Sequence, residues 1–195
     1  MKKRIYIDVE TSGLDPECCA ITQLGGIIEI DGHEVERFNW RLRPFKGAIV
    51  EEGALSITGV SIEDLKSYPD QSIAWTEFIT MLNKHCDKFN KQDKYHIVGY
   101  NCQKFDVEFL RAWFTRNGDR WYGSWFWPNT IDLYSICSLY LEPVREQLPD
   151  FKLSTVSSSI LGSDCPTGQL HDAMYDIILT KALLDKIFIN IKKSI

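Results

Sequence analysis

The first forty residues alternate between apolar runs and turn signals, and this pattern predicts three strands. Residues 3 to 9 and Ile21 to Ile30 are apolar runs of strand length. Asp31-Gly32 is a two-residue hairpin signal, and Glu34 to Leu42 continues as a more polar strand. We therefore expect an antiparallel meander. Gly25-Gly26, inside the second strand, marks a place where another part of the chain approaches the backbone closely.

The remainder of the chain alternates between helical and strand-like patterns. The apolar run Tyr95 to Tyr100 predicts a further buried strand, and an aromatic-rich irregular segment covers Arg120 to Pro128. A meander followed by alternating helices and strands predicts an α/β fold with a mixed sheet, and no composition break divides residues 1–195 into two domains. The helices are predicted at Glu51 to Ile57, Ser61 to Lys66, Gln71 to Phe89, Gln103 to Arg116, Ile131 to Leu141, Leu153 to Leu161 and Asp172 to Lys192.

Composition narrows the class of protein. The hydrophobic fraction of 44% and the charged fraction of 25% are those of a globular protein and not of a disordered one. The six cysteines are scattered without a C-x-x-C pair, which favours reduced thiols, and the apolar run behind Met1-Lys2-Lys3-Arg4 is too short for a signal peptide. No stretch approaches the ~20 apolar residues of a membrane span. We therefore expect a cytoplasmic protein that is not bound to a membrane.

The aromatic segment Trp121 to Trp127 has two interpretations. Aromatic side chains stack on unpaired bases, so the segment could bind single-stranded nucleic acid. The alternative is that it covers the core between elements, and this interpretation is favoured. The net charge of −5 gives no general attraction to nucleic acid, which weighs against a protein that coats DNA non-specifically.

Two carboxylates, Asp8 and Glu10, follow the apolar start of the first strand. Residues i and i+2 of a strand point to the same face, so both side chains project together from the end of a buried strand. Two like charges in that place repel each other and lose hydration. A divalent cation removes this cost, because hard oxygen ligands suit Mg²⁺ or Mn²⁺. The pair therefore predicts a metal-dependent enzyme.

Two later segments supply further acidic residues. Asp106 follows the strand that ends near Tyr100 and should lie in the first turn of a helix, where the helix dipole favours a negative charge. His171 and Asp176 open the last helix, with His171 at its entry and Asp176 in its body. Asp172 shares a helical face with Asp176 more closely than His171 does, so spacing alone leaves open which residue serves the site.

These motifs, in this order and spacing, resemble the DEDDh 3′→5′ exonucleases of the DnaQ-like superfamily, which includes proofreading subunits and RNase T. The resemblance spans nearly the whole chain and implies an RNase H-like fold, with a five-stranded mixed sheet made of the meander and two further strands. The resemblance rests on three motifs, Ile7 to Asp15, Asn101-x₃-Phe105-Asp106-x₂-Phe109-Leu110 and His171-Asp172-Ala173-x₂-Asp176. In addition, the segment Ala54 to Val60 is similar to a family segment that borders the substrate groove.

The resemblance also implies a two-metal mechanism. Asp8, Glu10 and Asp176 would hold one Mg²⁺, and Asp8 and Asp106 a second, with Mn²⁺ able to substitute. Two such cations about 4 Å apart stabilise the attacking and leaving oxygens at phosphorus. His171 would be the general base. The same family pattern leaves Asp172 as a cap or supporting group.

Substrate contacts follow from the same comparison of motifs. Thr11 and Leu14 map to positions that contact the terminal nucleotide, and Leu14 could wedge against its base. Phe105, which precedes Asp106, belongs to the second motif and is assigned to the substrate site. Among the basic residues, Lys104 is the preferred backbone contact because it adjoins Asp106.

Three functions are compatible with the sequence. The leading hypothesis is an exonuclease that releases nucleoside 5′-monophosphates from 3′ ends of single-stranded nucleic acid, DNA favoured, with an RNase T-like exoribonuclease as the alternative. A non-catalytic module that binds nucleic acid or a polymerase is disfavoured by the complete set of acidic residues, and an internally cutting nuclease by the His-x₄-Asp motif. A DNA polymerase and a second copy of the chain, in a homodimer, are candidate protein partners.

Overall fold

The computed structural model describes residues 1–168 and 172–193, and a mixed five-stranded sheet lies at its centre. The strands are β1 Lys3–Thr11, β2 Ile21–Ile30, β3 His33–Arg41, β4 His96–Gly99 and β5 Ile131–Asp132. Their order across the sheet is β3-β2-β1-β4-β5. The first three pair antiparallel, while β4 pairs parallel with β1 and with β5. The predicted α/β fold with a mixed sheet of five strands is confirmed.

Both sequence signals in the meander have the expected structural roles. Asp31 and Gly32 adopt φ values of 51° and 88°, the positive angles that a two-residue hairpin turn of this type needs. Gly26 lies under the ring of Phe38, where an added Cβ would come within 2.0 Å of Cζ. A larger residue at this position would displace the ring from the core.

Eight α-helices lie in the described part of the chain. They are α1 Glu52–Thr58, α2 Ile62–Ser67, α3 Gln71–His85, α4 Asp106–Arg116, α5 Tyr122–Trp125, α6 Leu133–Tyr140, α7 Leu153–Leu161 and α8 Ala173–Lys193, with 3₁₀ turns at Cys102–Lys104, Glu142–Gln147 and Gly162–Asp164.

Three predicted helices differ from the observed ones by more than one residue at an end. The helix predicted to reach Phe89 ends at His85, because the following loop is closed by Asp93, which pairs with Lys3 and accepts the N–H of Asp87. The helix predicted from Gln103 begins at Asp106. It follows a 3₁₀ turn and the non-helical backbone conformation of Phe105.

The third difference concerns the fifth strand. The segment predicted as the start of a helix at Ile131 instead forms β5, which pairs with Val98 and Gly99 of β4. Leu133 then begins α6. A two-residue strand is too short to have a readable hydrophobic period.

The sheet is covered on both faces by helices, and alternate residues of β1 contribute to two cores. Ile5, Ile7 and Val9 belong to a cluster with α3, α4 and the aromatic segment. Tyr6 belongs to a second cluster with α6, α7 and α8. Because the faces alternate along a strand, Asp8 and Glu10 lie on the Tyr6 side, toward α8.

The aromatic segment is mainly a core element. Tyr122, Trp125 and Phe126 are buried, while Trp121 is exposed. This confirms the favoured interpretation for the buried members. In residues 1–168 and 172–193, no helix combines the length and apolar character needed to cross a membrane.

Candidate active site

Three carboxylates from β1 and α8 form the centre of the site. One oxygen each from Asp8, Glu10 and Asp176 lies within 4.8 Å of the others, and all three residues are half-buried. We call these three residues the carboxylate cluster. Their hard oxygen donors and their spacing fit a Mg²⁺ or Mn²⁺ ion.

The approach of α8 to β2 brings Asp176 to this place. Gly25 of β2 pairs with Asp8 of β1, and a Cβ on Gly25 would meet the Ala173 Cβ and Ile177 Cδ1 atoms at 3.1 Å. The absence of a side chain at Gly25 therefore allows the first turns of α8 to lie against the sheet beside Asp8. This is the close approach that the paired glycines predict.

The entry of α8 is held by a cap. The carboxylate of Asp172 accepts the N–H groups of Met174 and Tyr175, each at 3.2 Å, which satisfies donors that a helix start leaves free. Its second oxygen accepts Nε2 of the buried Gln23 at 3.2 Å. Asp172 thus has the supporting role expected from the sequence.

Asp106 reaches the same site from the opposite side of β1. It is the first residue of α4 and only 5% exposed. Beyond Tyr6 the parallel ladder between β1 and β4 ends, and the N–H of Val9 donates to Oδ1 of Asp106 at 2.9 Å. This bond fixes Asp106 beside the strand residue that separates Asp8 from Glu10.

A further acidic residue, Asp132, supports the loop that leads to α4. Its carboxylate accepts the N–H groups of Asn101 at 2.8 Å, Gln103 at 3.3 Å and Tyr134 at 3.0 Å. Asn101 has a φ of 58°, a left-handed conformation that asparagine tolerates. Asp132 is not among the residues predicted from the sequence, because its segment reads as part of a helix that starts at Ile131. An acidic residue directly before a helical period, which is a cap signal, could have identified it.

The acidic groups have strongly perturbed pKa values. Burial raises the pKa of Glu10 to about 8, and the nearby Asp176, Asp106 and Asp172 charges add to the effect. Burial, followed by repulsion from Asp106 and Asp176, raises the pKa of Asp8 well above its ordinary value. The pKa of Asp106 rises to about 7, mainly through burial and against the opposing effect of the Val9 N–H. Bound cations would relieve this accumulated repulsion.

Two cavities meet at the carboxylates. The larger, which we call the carboxylate cleft, encloses about 620 Å³ between the acidic residues and a wall that includes Tyr134 and Lys152. The smaller, which we call the Leu14 cavity, encloses about 310 Å³ and is lined in part by Leu14, Ala54 and Ile57. Glu10 and Phe105 line both, so the two cavities adjoin at these residues.

The sequence-predicted substrate residues are found in different positions relative to these cavities. Thr11, Leu14 and Phe105 line the Leu14 cavity, and Leu14 is 76% exposed there. The Thr11 hydroxyl donates to the carbonyl of Gly13 at 2.7 Å, which shapes the loop that carries Leu14. Lys104 is exposed and lies outside the lining of both cavities, whereas Lys152 lines the carboxylate cleft. His171, the predicted general base, lies outside the described residues.

Comparison with known proteins finds a matching family and relatives that are nucleases or contain a polymerase. Residues 5–184 match the model of a family described as Exonuclease. Ribonuclease T of Histophilus somni is 27% identical over 114 residues, which are 55% of this chain and 51% of that protein. The PolC-type DNA polymerase III of Thermotoga petrophila is 28% identical over 109 residues, which are 56% of this chain and 7% of that protein.

A solved structure matches the fold over nearly the whole chain. The crystal structure of E. coli Exonuclease I in complex with a dA16 oligonucleotide superposes with a TM-score of 0.73 at 21% identity, and it covers 96% of this chain and 41% of that one. The chain therefore spans about half the length of the ribonuclease T relative and a smaller share of the other two proteins.

Proposed function

Because the chain belongs to the exonuclease family, whose model matches residues 5–184, we propose that it is a metal-dependent 3′→5′ exonuclease. The observation that carries the proposal is the carboxylate cluster, in which three oxygens from β1 and α8 lie within 4.8 Å of one another. Such a cluster is costly without a cation and has a clear use with one. The proposal treats residues 1–195 as one catalytic domain.

The acidic residues would hold two Mg²⁺ ions, with Mn²⁺ as a substitute. Asp8, Glu10 and Asp176 would bind the first ion, and Asp8 and Asp106 the second. When bound, the two cations would neutralise charge on the attacking and leaving oxygens of the phosphodiester. The Val9 N–H donates to Oδ1 of Asp106 and so fixes this carboxylate beside β1.

His171 would take the proton from the attacking water. Water adds to phosphorus, the P–O3′ bond breaks, and the upstream strand keeps a 3′-hydroxyl while a nucleoside 5′-monophosphate leaves. Histidine suits this step because its ordinary pKa lies near neutrality. The terminal nucleoside would occupy the Leu14 cavity, where Thr11, Leu14 and Phe105 line the wall. Lys104 stays a predicted backbone contact at the rim.

We propose single-stranded DNA as the favoured substrate, and support comes from the dA16 oligonucleotide bound by E. coli Exonuclease I. The similarity to ribonuclease T supports RNA as the alternative. A PolC-type polymerase among the relatives makes a DNA polymerase a candidate partner, and a homodimer stays a prediction. The free thiols favour the predicted cytoplasmic location.

The test is degradation of matched DNA and RNA oligonucleotides labelled at the 5′ end, with Mg²⁺ and with chelator. We expect stepwise shortening from the 3′ end that requires the metal, faster on DNA. Asp8→Asn keeps the size of the side chain and should abolish shortening, while Glu77→Gln, at an exposed position on α3, should not change it. Metal-independent binding without shortening would contradict the proposal and favour a non-catalytic module.

A further inference from the structure

We propose that the wall formed by Tyr134 and Lys152 binds the nucleotide on the upstream side of the scissile phosphate. Tyr134 would stack on its base and Lys152 would pair with its 5′-phosphate. The inference rests on the proposed exonuclease function and adds a second, specificity-determining subsite to it. We call this part of the carboxylate cleft the upstream wall.

The position of the carboxylates between two cavities is the first reason. The reacting phosphate must lie against the carboxylate cluster, because its neutralising cations would be held there. Glu10 lines both the Leu14 cavity and the carboxylate cleft, so a phosphate at the carboxylate cluster would adjoin both cavities. With the terminal nucleoside in the cavity of about 310 Å³, the upstream nucleotide extends into the cleft of about 620 Å³.

The ring of Tyr134 is held in place and yet accessible. It contacts the ring of Tyr100 edge-on at 5.6 Å and the ring of Phe151 at 5.3 Å, and it remains 41% exposed. The Tyr100 hydroxyl donates to the carbonyl of Phe151 at 2.7 Å, and Asp132 accepts the N–H of Tyr134. An aromatic ring that is already ordered loses little entropy when a base stacks on it.

Lys152 supplies charge where the cleft otherwise repels nucleic acid. The cleft contains the side chains of Asp8, Glu10, Asp106 and Asp176, and among the described residues that line it, Lys152 carries the one positive charge. A polyanion entering this cleft therefore has one charge-complementary side chain to meet, and it lies on the same wall as Tyr134. A phosphate one nucleotide upstream of the scissile phosphate is the group that would reach it.

Two dinucleotide substrates distinguish the base contact of Tyr134 from the phosphate contact of Lys152. TpT has only the scissile phosphate, whereas pTpT also carries a phosphate on the 5′ side of its upstream nucleoside. Cleavage of TpT gives thymidine and one thymidine 5′-monophosphate, whereas cleavage of pTpT gives two of the monophosphate. Following the loss of intact dinucleotide therefore measures kcat and KM for both on the same scale. Tyr134→Ala should raise KM for both by about 5- to 100-fold, as expected for the loss of one base–aromatic contact. Tyr134→Phe should keep the wild-type values, because it keeps the ring.

Lys152→Ala should act on only one of the substrates. We expect a loss of about threefold or more in kcat/KM on pTpT, reduced by added salt, and no change on TpT. Lys91→Ala, at an exposed position in the loop before β4, is the matched control and should leave both substrates unchanged. An equal loss on TpT and pTpT would overturn the phosphate contact. Tyr134→Leu, which keeps apolar packing, provides a second variant should Tyr134→Ala unfold.

The outcome distinguishes this subsite from the proposed function. Wild-type activity with unchanged kinetics in the Tyr134→Leu variant would overturn the upstream wall and leave the exonuclease function intact. A wild-type protein that releases no nucleotide would contradict the exonuclease function. The subsite would then be judged by fluorescence anisotropy of a labelled T10 oligonucleotide in Ca²⁺ buffer, where equal affinity of wild type and Tyr134→Leu would overturn it and weaker binding of the variant would support it.

Discussion

Removing one charge from the carboxylate cluster should stabilise the metal-free protein. The perturbation is Glu10→Gln, which preserves size and removes one negative charge. Two unit charges 4.8 Å apart repel by about 3.5 kcal/mol at an effective dielectric constant of 20. The pKa shift gives a similar scale, because a rise from 4.5 to about 8 corresponds to about 5 kcal/mol of destabilisation at high pH.

The pH dependence has a definite sign. The pKa of Glu10 is higher in the folded protein than in the unfolded chain, so between pH 4.5 and about 8 the folded state holds a proton that the unfolded state has released. Folding is then less favourable as pH rises. Metal-free wild type and Glu10→Gln should therefore be equally stable near pH 4.5. Above this pH, wild type should become steadily less stable than the variant up to pH 8.

The assay is thermal unfolding of both proteins in chelator across this pH range, with Glu77→Gln as an exposed control. For a chain of this length, a change of about 1 kcal/mol in the free energy of unfolding shifts Tm by about 2–4 °C. The Tm of the variant should therefore be about 10 °C higher than that of wild type at pH 8. Added Mg²⁺ should stabilise wild type by preferential binding to the folded state and narrow this gap. Equal unfolding temperatures at pH 8 in chelator, or a gap that does not shrink toward pH 4.5, would refute the reasoning.

Three further substitutions test how the fold positions the site. Gly25→Ala places a methyl group 3.1 Å from Ala173 and Ile177, so it should lower the free energy of unfolding in urea by about 1–3 kcal/mol. It should also lower kcat about tenfold by displacing α8, and an unchanged kcat would contradict the close approach of α8 to Gly25. Asp132→Ala leaves three backbone N–H groups without their acceptor and should cost about 1–3 kcal/mol, measured in chelator so that metal binding does not contribute. Asp172→Ala removes the α8 cap and should cost about 1 kcal/mol, and a neutral result in calorimetry would argue against that role.

Local chemistry made most of the architecture predictable. Ile21 to Ile30 and Leu153 to Leu161 were predicted with the bounds that the structure has, because each is a clear apolar period between turn or loop signals. Ser61, the predicted first residue of the second helix, is the N-cap of α2 and forms a capping box with Asp64. These features depend on neighbouring residues, and neighbouring residues are what a sequence displays.

Long-range pairing explains what the sequence did not predict. The two-residue strand β5 exists because Ile131 and Asp132 lie beside β4, and no local period announces such a contact. Lys104 was preferred over Lys152 because it adjoins Asp106 in sequence, yet Lys152 is the one that lines the carboxylate cleft. A helix-capping segment far along the chain and the end of a strand meet only in the folded protein. Sequence proximity therefore did not reveal which basic residue lines the cleft, and the backbone contact of Lys104 stays a prediction.

The supports of the site do not depend on the ion that the site would hold. Asp106 is fixed by the N–H of Val9, Asp172 caps α8 with the help of Gln23, and Gly25 lets α8 approach Asp8 through packing alone. Each of these contacts satisfies a donor or fills a space through protein atoms alone. Removal of metal should therefore change protonation in the carboxylate cluster and leave the backbone positions in place. A site built in this way is preorganised, so the binding energy of the cations is available for substrate phosphate and is not consumed in ordering the chain.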